Sequence, residues 1–182
     1  MTLLTTGLLI FIGVHLIPMI VSLRLRLIEK LGEPIYKSLF ALASAIGFIM
    51  LLMGKGRSEY IPLYDAPTWA PFLAKVVMLP GFVLLIAAYY PNNIKRLVKH
   101  PMLWGVLIWS ASHLLANGDK ASVLLFGGFF VFSVLDLISM NWRKNNPINN
   151  YSYLNDMVVI IVGSVVYYLV YQIHGTVFAP IY

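Results

Sequence analysis

The chain has 182 residues, of which 60% are hydrophobic and only 11% are charged, with a formal net charge of +6 and no cysteine. Soluble domains carry about a quarter charged residues, so this composition leaves too little polar surface for a water-facing globule. The missing cysteine excludes disulfides, iron–sulfur clusters and covalently attached haem. We therefore predict an all-α, polytopic integral membrane helix bundle, with residues 1–182 as a single transmembrane domain.

Six apolar runs predict about six transmembrane helices, at 3–22, 36–54, 70–90, 102–117, 121–140 and 154–174. Most of them approach the roughly 20 residues that a helix needs to cross a bilayer. The fourth run is short and would cross only with local thinning or a non-helical continuation. The first run lacks the basic start and the cleavage site of a signal peptide, so we interpret it as a retained span.

Prolines and a glycine divide these runs. Pro18 cannot donate a hydrogen bond to the carbonyl of Val14, which predicts a free acceptor beside His15. Pro101 suits the first turn of the fourth helix, because its missing N–H costs nothing there. The pair Asn117-Gly118 predicts the end of that helix, with the glycine in the left-handed conformation.

The distribution of Lys and Arg predicts the orientation in the membrane. The loops after predicted helices one, three and five hold nine basic residues: Arg24, Arg26, Lys30, Lys37, Lys95, Arg96, Lys99, Arg143 and Lys144. The opposite side holds four: Lys55, Arg57, Lys75 and Lys120. The positive-inside rule places the first set in the cytoplasm and both termini outside. Because the basic residues follow this loop pattern, we do not interpret the net charge as nucleic-acid binding.

The four histidines fall into two predicted depth classes. At a rise of 1.5 Å per residue, His15 lies about 14 Å and His113 about 20 Å from the basic ends of their helices. Both are predicted in the middle third of the hydrocarbon layer, at heights that differ by about one turn. His100 is predicted at the cytoplasmic boundary, where a substrate from that leaflet would arrive, and His174 near the outer boundary.

Two imidazoles at similar depth on different helices are typical of a haem held between them, or of a metal site. The alternative is a structural histidine in each helix, hydrogen-bonded to a serine or a carbonyl. Both interpretations stay open at this stage, with His15 and His113 as candidate ligands. Candidate acceptors for their second ring nitrogens are the Val14 carbonyl, Asn117 and Asp136.

Three aspartates have separate predicted roles. Asp136 lies inside the fifth run and is interpreted as a partner of a ligating imidazole, as a proton carrier or as an inward structural hydrogen bond. Asp119 is predicted to serve the turn or to cap the fifth helix, and Asp156 to cap the sixth.

Several motifs together resemble the NnrU family of bacterial membrane proteins over almost the whole chain. They are F-I-G-V-H-L-I-P with Arg24, L-G-E at 31–33, H-P-M-L-W-G at 100–105, H-L-L-A-N-G-D at 113–119, L-F-G-G at 125–128, Asp136 and His174. The combined H-P…G…H-L-x-x-N-G-D block is quite specific, whereas each piece alone is weak.

The resemblance implies a location in the bacterial inner membrane and a role linked to denitrification or nitric oxide. The family also includes relatives of the plant ζ-carotene isomerase, a membrane enzyme that contains haem b. Its axial histidines match His15 and His113, which implies a noncovalent haem b and a redox or isomerase-like role. The isomerase has a cysteine where this chain has Ser110, so a switch between thiolate and imidazole ligands is not available here.

Two alternative functions stay open. The segment K-H-P-x-x-x-G at 99–105 is similar to membrane isoprenylcysteine methyltransferases, which implies a thiol S-methyltransferase that uses S-adenosylmethionine. The chain could instead be a scaffold or haem-delivery factor for a respiratory enzyme. The expected partners are the lipid bilayer, a hydrophobic small-molecule substrate, and a membrane partner or a second copy of the chain.

The predicted topology can be tested with reporter fusions. A fusion at Asn145 should report a cytoplasmic location and one at Asn117 a periplasmic location, because the fifth helix separates them. The same location for both would mean that this helix does not cross the membrane.

Overall fold

The computed structural model describes residues 1–141 and 149–177 of the chain. Within these ranges it contains eight α-helices: α1 (Thr2–Leu16), α2 (Val21–Leu31), α3 (Glu33–Gly56), α4 (Ala70–Tyr89), α5 (Ile94–Leu97), α6 (Pro101–Ala116), α7 (Lys120–Asn141) and α8 (Tyr153–Val177). A 3-10 turn at Ile17–Met19 joins α1 to α2. Arg143 and Lys144, which contribute to the predicted orientation, lie outside the described ranges.

The predicted all-α membrane bundle is confirmed. The six apolar runs correspond to α1, α3, α4, α6, α7 and α8. Among the described residues, five helical segments are long and apolar enough to cross a membrane, the first of them including the 3-10 turn after α1. The sixth, α6, is apolar but has only 16 residues, which agrees with the expectation of a short fourth run.

The first helix ends earlier than the predicted run 3–22. It stops at Leu16, and the N–H of Ile17 donates to the carbonyl of Val14 in the 3-10 turn that contains Pro18. The prediction of a free Val14 carbonyl is therefore wrong, because a tighter turn satisfies the acceptor that the proline leaves. The chain then restarts as the amphipathic helix α2, none of whose residues is buried.

The long helices lie side by side in the order α3, α1, α7, α6, α4, α8. Helices α1 and α3 approach closely because Gly7 and Gly47 lack side chains. A Cβ at Gly7 would lie 2.8 Å from the backbone nitrogen of Leu51, and one at Gly47 would lie 2.9 Å from that of Phe11. One core cluster joins this pair to α7, and its buried members are Leu4, Leu8, Leu51, Ala121, Leu125, Phe126 and Phe129.

At one end of the bundle, Asn93 anchors α8 to the loop after α4. Its side chain donates to the carbonyl of Tyr151 at 2.9 Å and accepts from the N–H of Tyr151 at 2.9 Å. Asp156 accepts from the backbone and side chain of Asn93 at 2.7 and 2.8 Å. Since α8 begins at Tyr153, Asp156 lies inside the first turn and not at the cap position predicted for it, and it ties this turn to a neighbouring loop. We call this end, which carries Lys95, Arg96 and Lys99, the basic end.

At the opposite end, a clasp connects the last turn of α3 to the turn between α6 and α7. Lys55 donates to the Asp119 carboxylate at 2.9 Å and to the Ser122 hydroxyl at 2.7 Å. Asp119 also accepts from the N–H of Ser122 at 3.0 Å, which confirms that it caps α7. Lys55, Asp119 and Ser122 thus join the end of α3 to the start of α7, and we call this end the clasp end.

Gly118 is required in the clasp for space rather than for its backbone angle. Among the described glycines only Gly32 has a positive φ, so the predicted left-handed conformation of Gly118 is wrong. A Cβ at Gly118 would overlap the carbonyl oxygen of Tyr64. The carbonyl of Gly118 accepts from the N–H of Leu63 at 2.8 Å, so the loop passes directly over the glycine.

The clasp predicts an acid-sensitive contribution to stability. Burial raises the pKa of Asp119, but hydrogen bonds from Ser122 and Lys55 outweigh that effect and hold the pKa below its ordinary value of 3.8. The charged carboxylate therefore stabilises the fold above the pKa of the unfolded chain, and this contribution is lost as the pH falls through the lower folded pKa.

Asp119→Asn should lower the free energy of unfolding at neutral pH by about 1–2 kcal/mol, because Lys55 keeps partial access to solvent. Thermal unfolding in detergent, followed between pH 7 and pH 3, measures the effect. The difference between wild type and variant should shrink at the acidic end. Asp65→Asn removes an exposed carboxylate from the loop between α3 and α4 and is the control; an equal loss in both variants would contradict the role of the clasp.

Candidate functional site

His113 lies near the end of α6, and its ring has a defined orientation. Its Nδ1 is 2.8 Å from the carbonyl oxygen of Trp109, one turn earlier. A carbonyl oxygen only accepts, so Nδ1 carries the hydrogen and Nε2 keeps the lone pair that can bind a metal. The ring stacks on Phe126 of α7 with centroids 4.4 Å apart.

His174 of α8 lies beside His113, with ring centroids 5.8 Å apart and an angle of 56° between the rings. Both rings line a cavity of about 440 Å³ between α4, α6 and α8. We call it the histidine chamber; its polar and aromatic lining includes Lys75, Trp109, His113, Tyr167, Tyr171 and His174. The proximity of these two histidines was not predicted, since His174 was assigned to the boundary and His113 to the middle of the layer.

The tyrosines and the lysine of the chamber were also missed at the sequence level. Tyr167 donates to the carbonyl of Lys75 at 2.9 Å, and the Lys75 ammonium lies 5.6 Å from the centre of the Tyr171 ring. A signal for them exists in the sequence. Tyr167, Tyr171 and His174 are spaced i, i+4 and i+7, which places them on one face of α8.

His15 occupies a different aromatic environment. Its Nδ1 is 2.7 Å from the carbonyl of Phe11, so its Nε2 likewise keeps the lone pair. The ring stacks on Phe11 at 4.3 Å and makes edge contacts with Phe40 at 5.0 Å and Phe132 at 6.0 Å. His15 and His113 therefore both offer Nε2 as a possible metal ligand, but they are surrounded by different residues.

The structure does not bring His15 and His113 together. Phe129 contacts Phe11 on one side, with centroids 5.4 Å apart, and Trp109 on the other, at 5.3 Å. Ring contacts therefore run from His15 through Phe11, Phe129 and Trp109 to His113. On α7, His113 stacks on Phe126 and His15 makes an edge contact with Phe132, and these two residues are about 9 Å apart along the helix axis.

Asn117 and Asp136, the side chains proposed as acceptors for the histidine ring nitrogens, do not bind the Nδ1 atom of either histidine. Asn117 donates to the backbone carbonyl of His113 at 2.9 Å and so closes the end of α6. Asp136 is half-buried on α7. It lies one turn from Phe132, which puts it on the His15 side of the bundle. In both histidines the Nδ1 partner is a carbonyl of the same helix, in place of Val14, Asn117 or Asp136.

The remaining candidates lie near the basic end. Arg24 is exposed on α2. His100 is half-buried at the start of α6, where it lines a second cavity of about 520 Å³. Ser110, at the position of the cysteine in the isomerase, is fully buried and donates to the carbonyl of Leu107 at 3.0 Å.

The described residues contain no group of three or more His, Cys, Asp or Glu side chains that could hold a metal ion. A metal bound by protein atoms alone is usually held by three or four ligands, whereas a haem iron needs only one or two from the protein.

A protein-family model described as "NnrU protein" matches residues 3–180. No curated protein and no solved structure matches the chain. The match covers nearly the whole chain, including both histidine environments and the clasp.

Proposed function

The chain belongs to the NnrU family, and we propose that this membrane protein binds haem b noncovalently in the histidine chamber, with the imidazole of His113 as an iron ligand. The observation that carries the proposal is the arrangement of His113. Its Nδ1 is held by a backbone carbonyl and its ring borders a cavity. A hydrogen bond to the second nitrogen orients a ligating imidazole and raises its basicity.

The size and the lining of the chamber support this proposal. Its volume of about 440 Å³ falls within the range of about 300–1,000 Å³ found for small-molecule and cofactor sites. Trp109 and Phe82 provide aromatic surface, and Lys75 provides a positive charge for the two propionates of haem b. When bound, the haem would supply a redox-active iron, and the surrounding side chains would set its ligation and its access to water.

Two histidines are candidates for the second axial position. His174 is favoured by the ring distance of 5.8 Å to His113. His15, the partner expected from the family resemblance, does not line the chamber and is connected to His113 through the ring contacts of Phe11, Phe129 and Trp109. We therefore propose His113 and His174 as the pair, while the pair of His113 and His15 stays a prediction. The role in redox, isomerase-like or nitric-oxide-related chemistry is proposed on the family resemblance.

Absorption spectra of the purified protein test the ligand assignment. After haem supplementation the wild type should show a low-spin Soret band, with sharp α and β bands on reduction, and the haem should extract into acidified organic solvent. His113→Ala should abolish this spectrum and His174→Ala should convert it to high-spin, whereas His15→Ala should leave it unchanged.

The opposite pattern, with His15→Ala altering the spectrum and His174→Ala sparing it, would assign the His15 pair. A colourless protein after haem supplementation would refute haem binding and favour the methyltransferase or scaffold functions.

Asp136→Asn locates the cofactor relative to α7. The chamber borders His113, and Asp136 lies on the His15 side, so this variant should keep its haem content. A loss of about 10–100-fold in haem affinity, as is typical when a residue that supports a ligand is removed, would place the haem near His15 instead. Titration with haem, followed by absorbance, measures the affinity.

A further inference from the structure

A second cavity lies at the basic end and shares no lining residue with the histidine chamber. It has a volume of about 520 Å³. Its lining comes from α4, α6, α7 and the segment around α5, and it includes Leu84, Leu97, Lys99, His100, Trp104 and Leu137. We call it the basic-end cavity.

The lining combines apolar walls with positive charge at one edge. Leu84 of α4 and Leu137 of α7 both line the cavity, while Lys99 and His100 immediately precede α6. No carboxylate belongs to the lining among the described residues. An occupant that complements it carries a negative group beside Lys99 and an apolar chain between the leucines.

We propose that the basic-end cavity is a specific site for an anionic phospholipid of the adjacent leaflet, with its phosphate at Lys99 and one acyl chain between Leu84 and Leu137. Basic pockets between transmembrane helices on the cytoplasmic side are known to bind the head groups of anionic lipids. The predicted orientation places the basic end on that side. The proposal does not depend on haem binding.

The exposure of the rim favours a lipid over a water-soluble ligand. Leu97 is 87% exposed and Trp104 is 44% exposed within the chain. Such side chains are stable at the boundary of a bilayer, where a tryptophan ring spans the head-group level. Leu84 lies five residues before the end of α4 and Leu137 four before the end of α7. They are therefore about 6–8 Å inside the helix ends, at the depth where acyl chains begin.

Native mass spectrometry of the full chain in detergent tests the proposal, with phosphatidylglycerol and phosphatidylcholine of identical acyl chains as probes. The wild type should retain one phosphatidylglycerol under conditions that remove phosphatidylcholine. Lys99→Gln should weaken the retention of phosphatidylglycerol about fivefold, which corresponds to about 1 kcal/mol for one basic residue near the surface.

Lys30→Gln is the matched control, because it removes an exposed lysine of α2 that does not line the cavity. It should leave the retention unchanged. Leu84→Trp, which fills the acyl part, should reduce the binding of phosphatidylglycerol while Lys99 is intact. Equal retention of both lipids by the wild type, or equal effects of Lys99→Gln and Lys30→Gln, would overturn the proposal. Saturable binding of S-adenosylmethionine that Leu84→Trp removes would also overturn it.

Discussion

Asp119 accepts hydrogen bonds from Lys55 of α3 and from the backbone and side chain of Ser122 in α7. This carboxylate is almost fully buried, and the charge of Lys55 together with the capped helix offsets the cost of removing it from water. The contact sets the position of the turn between α6 and α7. His113 lies one helical turn before the connection between α6 and α7. The clasp therefore also sets the height of His113 relative to the neighbouring helices.

A short helix such as α6 survives in a membrane only when its last carbonyls have donors. Here the side chain of Asn117 donates to the carbonyl of His113, and the carbonyls of Leu114 and Asn117 are both within reach of the single Tyr64 hydroxyl hydrogen. Each residue of the N-G-D sequence at 117–119 therefore has a separate structural role. Asn117 closes α6, Gly118 leaves room for the loop that carries Tyr64, and Asp119 starts α7. The requirements of a short helix explain this part of the sequence.

The sequence predicted the helices because their apolar runs are continuous and bounded by Pro, Gly and basic residues. It did not predict the end of α1 at Leu16, since the hydrophobicity continues through Pro18 and only backbone geometry breaks the helix. It identified His15 and His113 from depth, but depth along one helix carries no information on which helices are neighbours. The pairing of His113 with His174 depends on α8 lying beside α4, and that arrangement rests on Asn93, whose amide pairs with the backbone of a residue 58 positions away.

The way α8 is attached has a mechanical consequence for the histidine chamber. Its extensive helix contacts are with α4 alone among the described helices, and the hydrogen bonds of Asn93 pin its first turn. From that anchor to His174 there are 18 residues, a lever arm of about 27 Å. A tilt of about 5° around the anchor moves His174 by about 2 Å, which equals a typical bond length between a metal and an imidazole nitrogen. The distance between the imidazoles of His113 and His174 thus depends mainly on the tilt of α8 relative to α4. A contact on the outer face of α8 that changes this tilt would also change the width of the histidine chamber.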